Sequence, residues 1–199
     1  RVLVVQTGTT EPEVAAVHGD YDAWFCREFA SIECKVVRPF SGEELPCASD
    51  FDGVVLTGSP LSVRDEQPWM MELGRWTVAA ADDGVHVLAV CFGHQLVGEV
   101  LGGRVEVNPA GPERGTVAVC LTAEGCTDPL FQGYSSEICV QATHCDVLVR
   151  SPRGREVVHL ASNANTQWQA FRYGAYLRAV QFHPELKSRP FEPHPSAAG

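Results

Sequence analysis

At 199 residues, 45% hydrophobic and 20% charged, the chain has the size and composition of one soluble domain that can bury a core without disulfide staples. Its formal charge of −10 argues against general affinity for nucleic acid or anionic membrane, since those phosphates repel an acidic surface. The eight cysteines (Cys26, Cys34, Cys47, Cys91, Cys120, Cys126, Cys139 and Cys145) are scattered and form no CxxC pair, which favours neither a metal site nor a disulfide framework.

Val2 to Val5 is a short continuous apolar run closed by Gly8, the pattern of a strand buried in a parallel sheet. It is too short for a signal-peptide core, and no stretch approaches a membrane span, so a reducing, cytoplasmic setting is expected. From Tyr21 to Ile32, the residues Trp24, Phe25, Phe29 and Ile32 recur at helical spacing, and Lys35 to Arg38 follows as a strand. Gly53 to Leu56 supplies a third strand, which ends in Thr57-Gly58-Ser59-Pro60. Pro68 to Ala81 then places Met70, Leu73, Trp76, Thr77 and Ala80 on one helical face, with proline suited to the first turn.

Val85 to Val90 is the next apolar strand and runs directly into Cys91-Phe92-Gly93-His94-Gln95, after which Leu96, Val97, Val100 and Leu101 resume helical periodicity. This alternation predicts an α/β fold with a mainly parallel central sheet flanked by helices. Beyond Gly102 the chain reads as short β segments near Val105, Thr116 to Leu121, Ile138 to Ala142, Val157 to Ala161, Trp168 to Phe171 and Tyr176 to Gln181. A smaller antiparallel β portion is therefore expected in the second half. The domain is expected to span residues 1–186, with 187–199, rich in proline, as a linker-like tail.

Cys91 sits where the chemistry would want it. A sharp strand-to-helix corner projects the thiol, while the helix N-terminus offers free N–H groups and a positive dipole end. Ala89 and Gly93, two residues to either side, are small enough to let strand and helix approach closely. Taken alone, the pentapeptide also fits a buried core cysteine at a strand end. A thiol nucleophile needs a base, and the base an orienting acceptor; His183 and Glu185 can supply both, since on an extended segment the two would point to one side.

The pair Val90-Cys91-Phe92-Gly93-His94-Gln95 and Val180-Gln181-Phe182-His183-Pro184-Glu185 resembles the double signature of class I glutamine amidotransferases, most closely the stand-alone group similar to the glutaminase domain of GMP synthetase. That resemblance implies a flavodoxin-like fold and a catalytic Cys91, His183 and Glu185. The thiolate would attack a γ-glutamyl amide, release ammonia and leave a thioester for water to hydrolyse. It further implies oxyanion donors at Phe92 and Gly58 with Ser59 beside them, and Gln95 as a substrate contact. Thr143-His144-Cys145-Asp146 resembles the segment that lines the glutamine pocket, with Cys145 standing where many relatives carry glycine.

No cofactor or metal is implied. No Walker-type or dinucleotide-binding glycine loop is present, so an amination would need a synthase subunit on another chain as ammonia acceptor. Two other readings stay open: a γ-glutamyl peptidase or hydrolase using the same three residues, and a catalytically silent module of the same fold.

Overall fold

The structure, a computed structural model, describes residues 1–154 and 156–186; the expected tail at 187–199 lies outside the described residues. In chain order the elements open with β1 (Val2–Val5), α1 (Pro12–His18), α2 (Tyr21–Glu28), β2 (Cys34–Val37) and β3 (Gly53–Leu56). Next come α3 (Pro68–Asp82), β4 (His86–Val90), α4 (Phe92–Val100), β5 (Arg104–Val107), β6 (Glu113–Leu121) and α5 (Ala123–Thr127). The chain then forms β7 (Glu137–His144), β8 (Asp146–Arg150), β9 (Val157–Ser162), β10 (Ala170–Tyr173) and β11 (Leu177–Val180).

Nine strands make one sheet in the order β2-β1-β3-β4-β11-β10-β9-β6-β7, and β5 and β8 form a separate two-stranded ribbon. The first five in that order run parallel, and every later junction is antiparallel. The antiparallel portion expected in the second half is thus mostly a continuation of the central sheet.

Alternation along the parallel strands explains why they read as unbroken apolar runs. Leu3, Val5, Val54, Leu56, Val87, Ala89, Leu177 and Ala179 face one core, shared with Met70 and Leu73 of α3 and Leu96 of α4. Val4, Val55, Val90 and Val180 face a second core with Phe25 of α2. Both faces are covered at the inner positions, so polar residues on these strands such as His86 and Lys35 stand at an exposed end or on the edge. Each fully buried aliphatic side chain contributes roughly 1.5–3 kcal/mol.

Several expected boundaries shift. The helix expected to run to Ile32 ends at Glu28, leaving Ile32 exposed. The strand expected from Trp168 begins at Ala170, and β6 starts three residues before Thr116. Helix α1 has no buried residue, so it left no apolar period to read. Helix α5 is short and β8 pairs only with β5, which explains why neither was anticipated. Among the described residues no helix is long and apolar enough to cross a membrane.

Candidate active site

The pentapeptide from Ala89 to Gly93 folds as the sequence predicts. Strand β4 ends at Val90, α4 begins at Phe92, and Cys91 between them adopts φ 50° and ψ −97°, a conformation rare for any residue with a side chain. Holding such a residue costs on the order of 1–3 kcal/mol, which the surrounding packing must outweigh. Part of that packing is the close contact between α4 and β3. A Cβ on Gly93 would lie 2.8 Å from Leu56 Cβ and 3.3 Å from its carbonyl oxygen, so only glycine lets the helix sit there. The Cys91 amide donates to the Val180 carbonyl at 2.8 Å, tying the corner to β11.

That tie matters because β11 leads to His183. Val90 and Val180 are register partners in adjacent parallel strands, so Cys91 and His183 leave the sheet side by side despite their distance in sequence. Beyond β11 the chain does not stay extended, contrary to the expectation that strand alternation would align His183 with Glu185. It turns, with the Leu186 amide reaching back to the His183 carbonyl at 3.3 Å, and the turn itself brings Glu185 under the ring. His183 Nδ1 and Glu185 Oε1 are 2.6 Å apart, both side chains nearly inaccessible to water. A carboxylate there favours the tautomer with the proton on Nδ1 and leaves Nε2 for another partner.

Burial works against a charged imidazole, yet the thiolate of Cys91 and the carboxylate of Glu185 outweigh it and raise the His183 pKa to about 10. Tyr21 reports the same charges: burial first, then the Cys91 thiolate, pushes its phenol up to about 12. Gly58 closes the site. A Cβ there would stand 2.7 Å from His183 Cε1 and 3.6 Å from Cys91 Cβ, so glycine is what lets the turn lie against Cys91 and the ring together.

Cys91 opens onto a pocket of about 470 Å³ whose lining includes Ser59, Phe92, Gln95, Thr143 and His144. Five of the anticipated site residues line this space beside Cys91; Gly58, His183 and Glu185 are outside the lining, Gly58 packing against both Cys91 and His183, and His183 against Glu185. Cys145, also in the lining, does not have a positive φ, so the glycine expected there by resemblance is not conformationally required. A smaller apolar cavity of about 220 Å³, lined in part by Phe131, Ile138 and Phe182, reaches His183 without including Cys91.

Two groups that sequence reasoning missed organise this space. Gln181, fully buried, donates to Cys91 Sγ at 3.6 Å and accepts from Gln95 Nε2 at 3.1 Å. The other Gln95 amide hydrogen goes to the Asp146 carbonyl at 2.8 Å, so the Gln95 oxygen is the end left to accept. Gln181 was part of the quoted motif, but nothing in its spacing distinguished it from a core strand residue.

The second is Glu113, a buried carboxylate that accepts from Asn163 (2.6 Å), Thr166 (2.5 Å) and Gln169 (2.9 Å) and stands 3.1 Å from His144 Nε2. Burial holds the His144 pKa below its ordinary value against the pull of Glu113. His94, wholly buried and next to Phe171, is driven down to about 3 by burial and then by His144. Among the described residues no cluster of three or more His, Cys, Asp or Glu side chains is placed to hold a metal ion.

A doubly covered α/β sheet with a cysteine elbow and a carboxylate-held imidazole at adjacent strand ends has the layout that a thiol nucleophile with a neighbouring base requires. Comparison with known proteins gives the family: residues 17–199 match the model of class I glutamine amidotransferases, and the chain belongs to that family.

Among curated relatives, it is 36% identical over 162 residues to the glutamine-hydrolyzing GMP synthase subunit of Saccharolobus solfataricus, covering 80% of each chain. It is 32% identical over 181 residues to the corresponding subunit of Sulfolobus acidocaldarius, covering 88% of this chain and 90% of that one. The glutamine amido transferase of Methylobacillus flagellatus shares its fold, with a TM-score of 0.75 at 23% identity over 94% of this chain and 70% of the other. So does a protein of Thermoplasma acidophilum described as a GMP synthase subunit, at 0.71 and 24% identity over 94% and 85%.

Proposed function

We propose that this protein hydrolyses glutamine to glutamate and ammonia through a γ-glutamyl thioester on Cys91, as the ammonia-releasing subunit of a two-chain synthase. The observation that carries this reading is the buried assembly of Cys91, His183 and Glu185 beside a pocket that Cys91 lines. In it the thiolate attacks the amide carbon, forming the C–S bond. The imidazolium of His183 passes its proton to the departing nitrogen, and ammonia leaves. The neutral ring then takes a proton from water, whose oxygen displaces the sulfur and yields glutamate.

Both steps pass through an oxyanion, and two amides are suited to receive it. Phe92 is the first residue of α4, so its N–H lacks an intrahelical acceptor. The Thr57 carbonyl accepts from Thr7 Oγ1 at 3.1 Å, which in a trans peptide turns the Gly58 N–H the opposite way. Thr57 Oγ1 donates to the Gly58 carbonyl at 2.9 Å, and the single Thr7 Oγ1 proton is shared between that carbonyl, also at 2.9 Å, and the Thr57 carbonyl, so the strand-to-turn backbone is fixed before substrate arrives. Losing one such donor typically costs on the order of 3 kcal/mol of transition-state stabilisation. The free oxygen of Gln95 suits an N–H donor of the substrate, and Ser59, Thr143 and His144 complete the wall.

A synthase partner is supported by the subunit names of the curated relatives above, and a reducing, cytoplasmic setting suits a reaction that needs a free thiol. The test is ammonia release from glutamine and amine release from γ-glutamyl peptides by purified protein, side by side with Cys91→Ala. Turnover of glutamine that disappears in Cys91→Ala supports the proposal. Turnover of peptides alone assigns a peptidase, and glutamine turnover that survives the substitution removes the thioester.

A further inference from the structure

The pocket beyond Cys91 contains a charge that the hydrolytic chemistry does not use. Two guanidinium groups line it, Arg64 and Arg114. Arg64 is already neutralised, since its Nη1 lies 3.3 Å from Asp146 Oδ1 and the other Asp146 oxygen accepts from Ser62 at 2.5 Å. Arg114 is different. Among the described residues it meets no carboxylate within ion-pair distance, in a chain whose formal charge is −10. An acidic protein offers many carboxylates, so a cation left unpaired against a pocket is available to an anionic ligand.

The backbone around Arg114 is fixed by its neighbour. Glu113, at the start of β6, is buried among Asn163, Thr166, Gln169 and His144, and the two-residue alternation of the strand sends Arg114 to the other side. Arg114 is the register partner of Thr143 on β7, and both line the pocket with Cys91 and Gln95. One strand therefore anchors itself with its first side chain and presents a cation with its second. A γ-glutamyl compound whose amide carbon meets Cys91 carries an α-carboxylate at the opposite end of the same side chain. Gln95 has only its oxygen free and so cannot take that anion.

We propose that Arg114 is a specificity-determining residue that holds the α-carboxylate of the γ-glutamyl substrate, an inference that rests on the hydrolytic function proposed above. It predicts selection for a free α-carboxylate, by charge rather than by shape, with the benefit in binding.

The experiment compares glutamine with glutamine α-amide, which lacks only that negative charge, on the wild type, Arg114→Gln and Arg114→Lys. Equal thermal melting of the three proteins serves as the folding control. Arg114 is exposed at the pocket wall, so the wild type should favour glutamine by about fivefold in kcat/KM, in the range of an ion pair to a solvent-accessible guanidinium. Arg114→Gln should bring that ratio close to one, through KM, with kcat within about threefold. Arg114→Lys should recover part of the preference, a rescue by charge that a purely structural role would not give.

An unchanged ratio in Arg114→Gln overturns the proposal while leaving the hydrolytic function intact. A wild type that turns over neither compound removes the hydrolytic function. Calorimetric titration with glutamine then decides Arg114 separately: binding lost in Arg114→Gln sustains it, and binding equal to wild type, or absent from both, overturns it.

Discussion

The two halves of the central sheet do different work. The parallel half, from β2 to β11, has strands of four or five residues, and from their C-terminal ends come Gly58, Cys91 and His183. The antiparallel half contains the longer strands β6 and β7, whose far edge is open to water, and from it come Glu113, Arg114, Thr143 and His144. On the proposed function the first half fixes the reacting atoms, and the second shapes the space they face. The difference follows from connectivity. Parallel strands all end on one side, so neighbouring loops converge by topology. Antiparallel strands have no such common end, so a pocket wall must be stiffened locally, here by the buried Glu113 cluster.

Substitutions in the first half should therefore damage turnover, and short of removing the Cys91 sulfur itself the largest effect is expected at Glu185. Glu185→Gln keeps the shape but removes the charge that orients the ring and helps hold its proton. It should lower kcat by about 10³-fold, somewhat less than the loss of the orienting aspartate in serine proteases. Since Glu185 is among the charges that raise the His183 pKa to about 10, removing it must lower that value. The alkaline limb of the kcat/KM profile should accordingly begin at lower pH than in the wild type. An alkaline limb that stays in place would show that Glu185 does not govern the ring.

Gly58→Ala comes next. The added Cβ meets His183 Cε1 at 2.7 Å, so the ring or the turn must shift by several tenths of an ångström. A displacement of that order at a reacting group lowers turnover by about 10²-fold, and KM for glutamine should change little. A kcat within threefold of wild type would mean that the ring has room to move and that the first half is less rigid than the distances indicate.

How much of this contrast was legible in the sequence follows the same division. The parallel strands announced themselves because residues such as Val54, Val55 and Leu56 are covered on both faces and must all be apolar. Cys91, His183 and Glu185 were legible because a thiol nucleophile restricts both the corner that carries it and the residues that serve it. Glu113 was not, since its partners Asn163, Thr166 and Gln169 lie some fifty residues away and no local pattern joins them. The turn at Glu185 was also missed. Strand alternation gave the right neighbour for the wrong reason.

The smallest expected effect concerns stability rather than rate. His94 has a folded pKa of about 3 against an ordinary 6.5, so below pH 6.5 the unfolded chain takes up a proton that the folded one refuses. The fold should lose up to about 1.4 kcal/mol per pH unit from this group as pH falls from 6.5 towards 3, and none above 6.5. His94→Phe should flatten that slope in urea unfolding measured at pH 7 and pH 5. An unchanged slope would place the acid sensitivity elsewhere, His144 being the first candidate.

Strand β11, the last strand of the described chain to be synthesised, lands in the middle of the sheet, with β4 on one side and β10 on the other. Until Leu177–Val180 slides in, Cys91 has neither its backbone tether to Val180 nor its imidazole. The same four residues join the two halves of the sheet into one continuous ladder of hydrogen bonds.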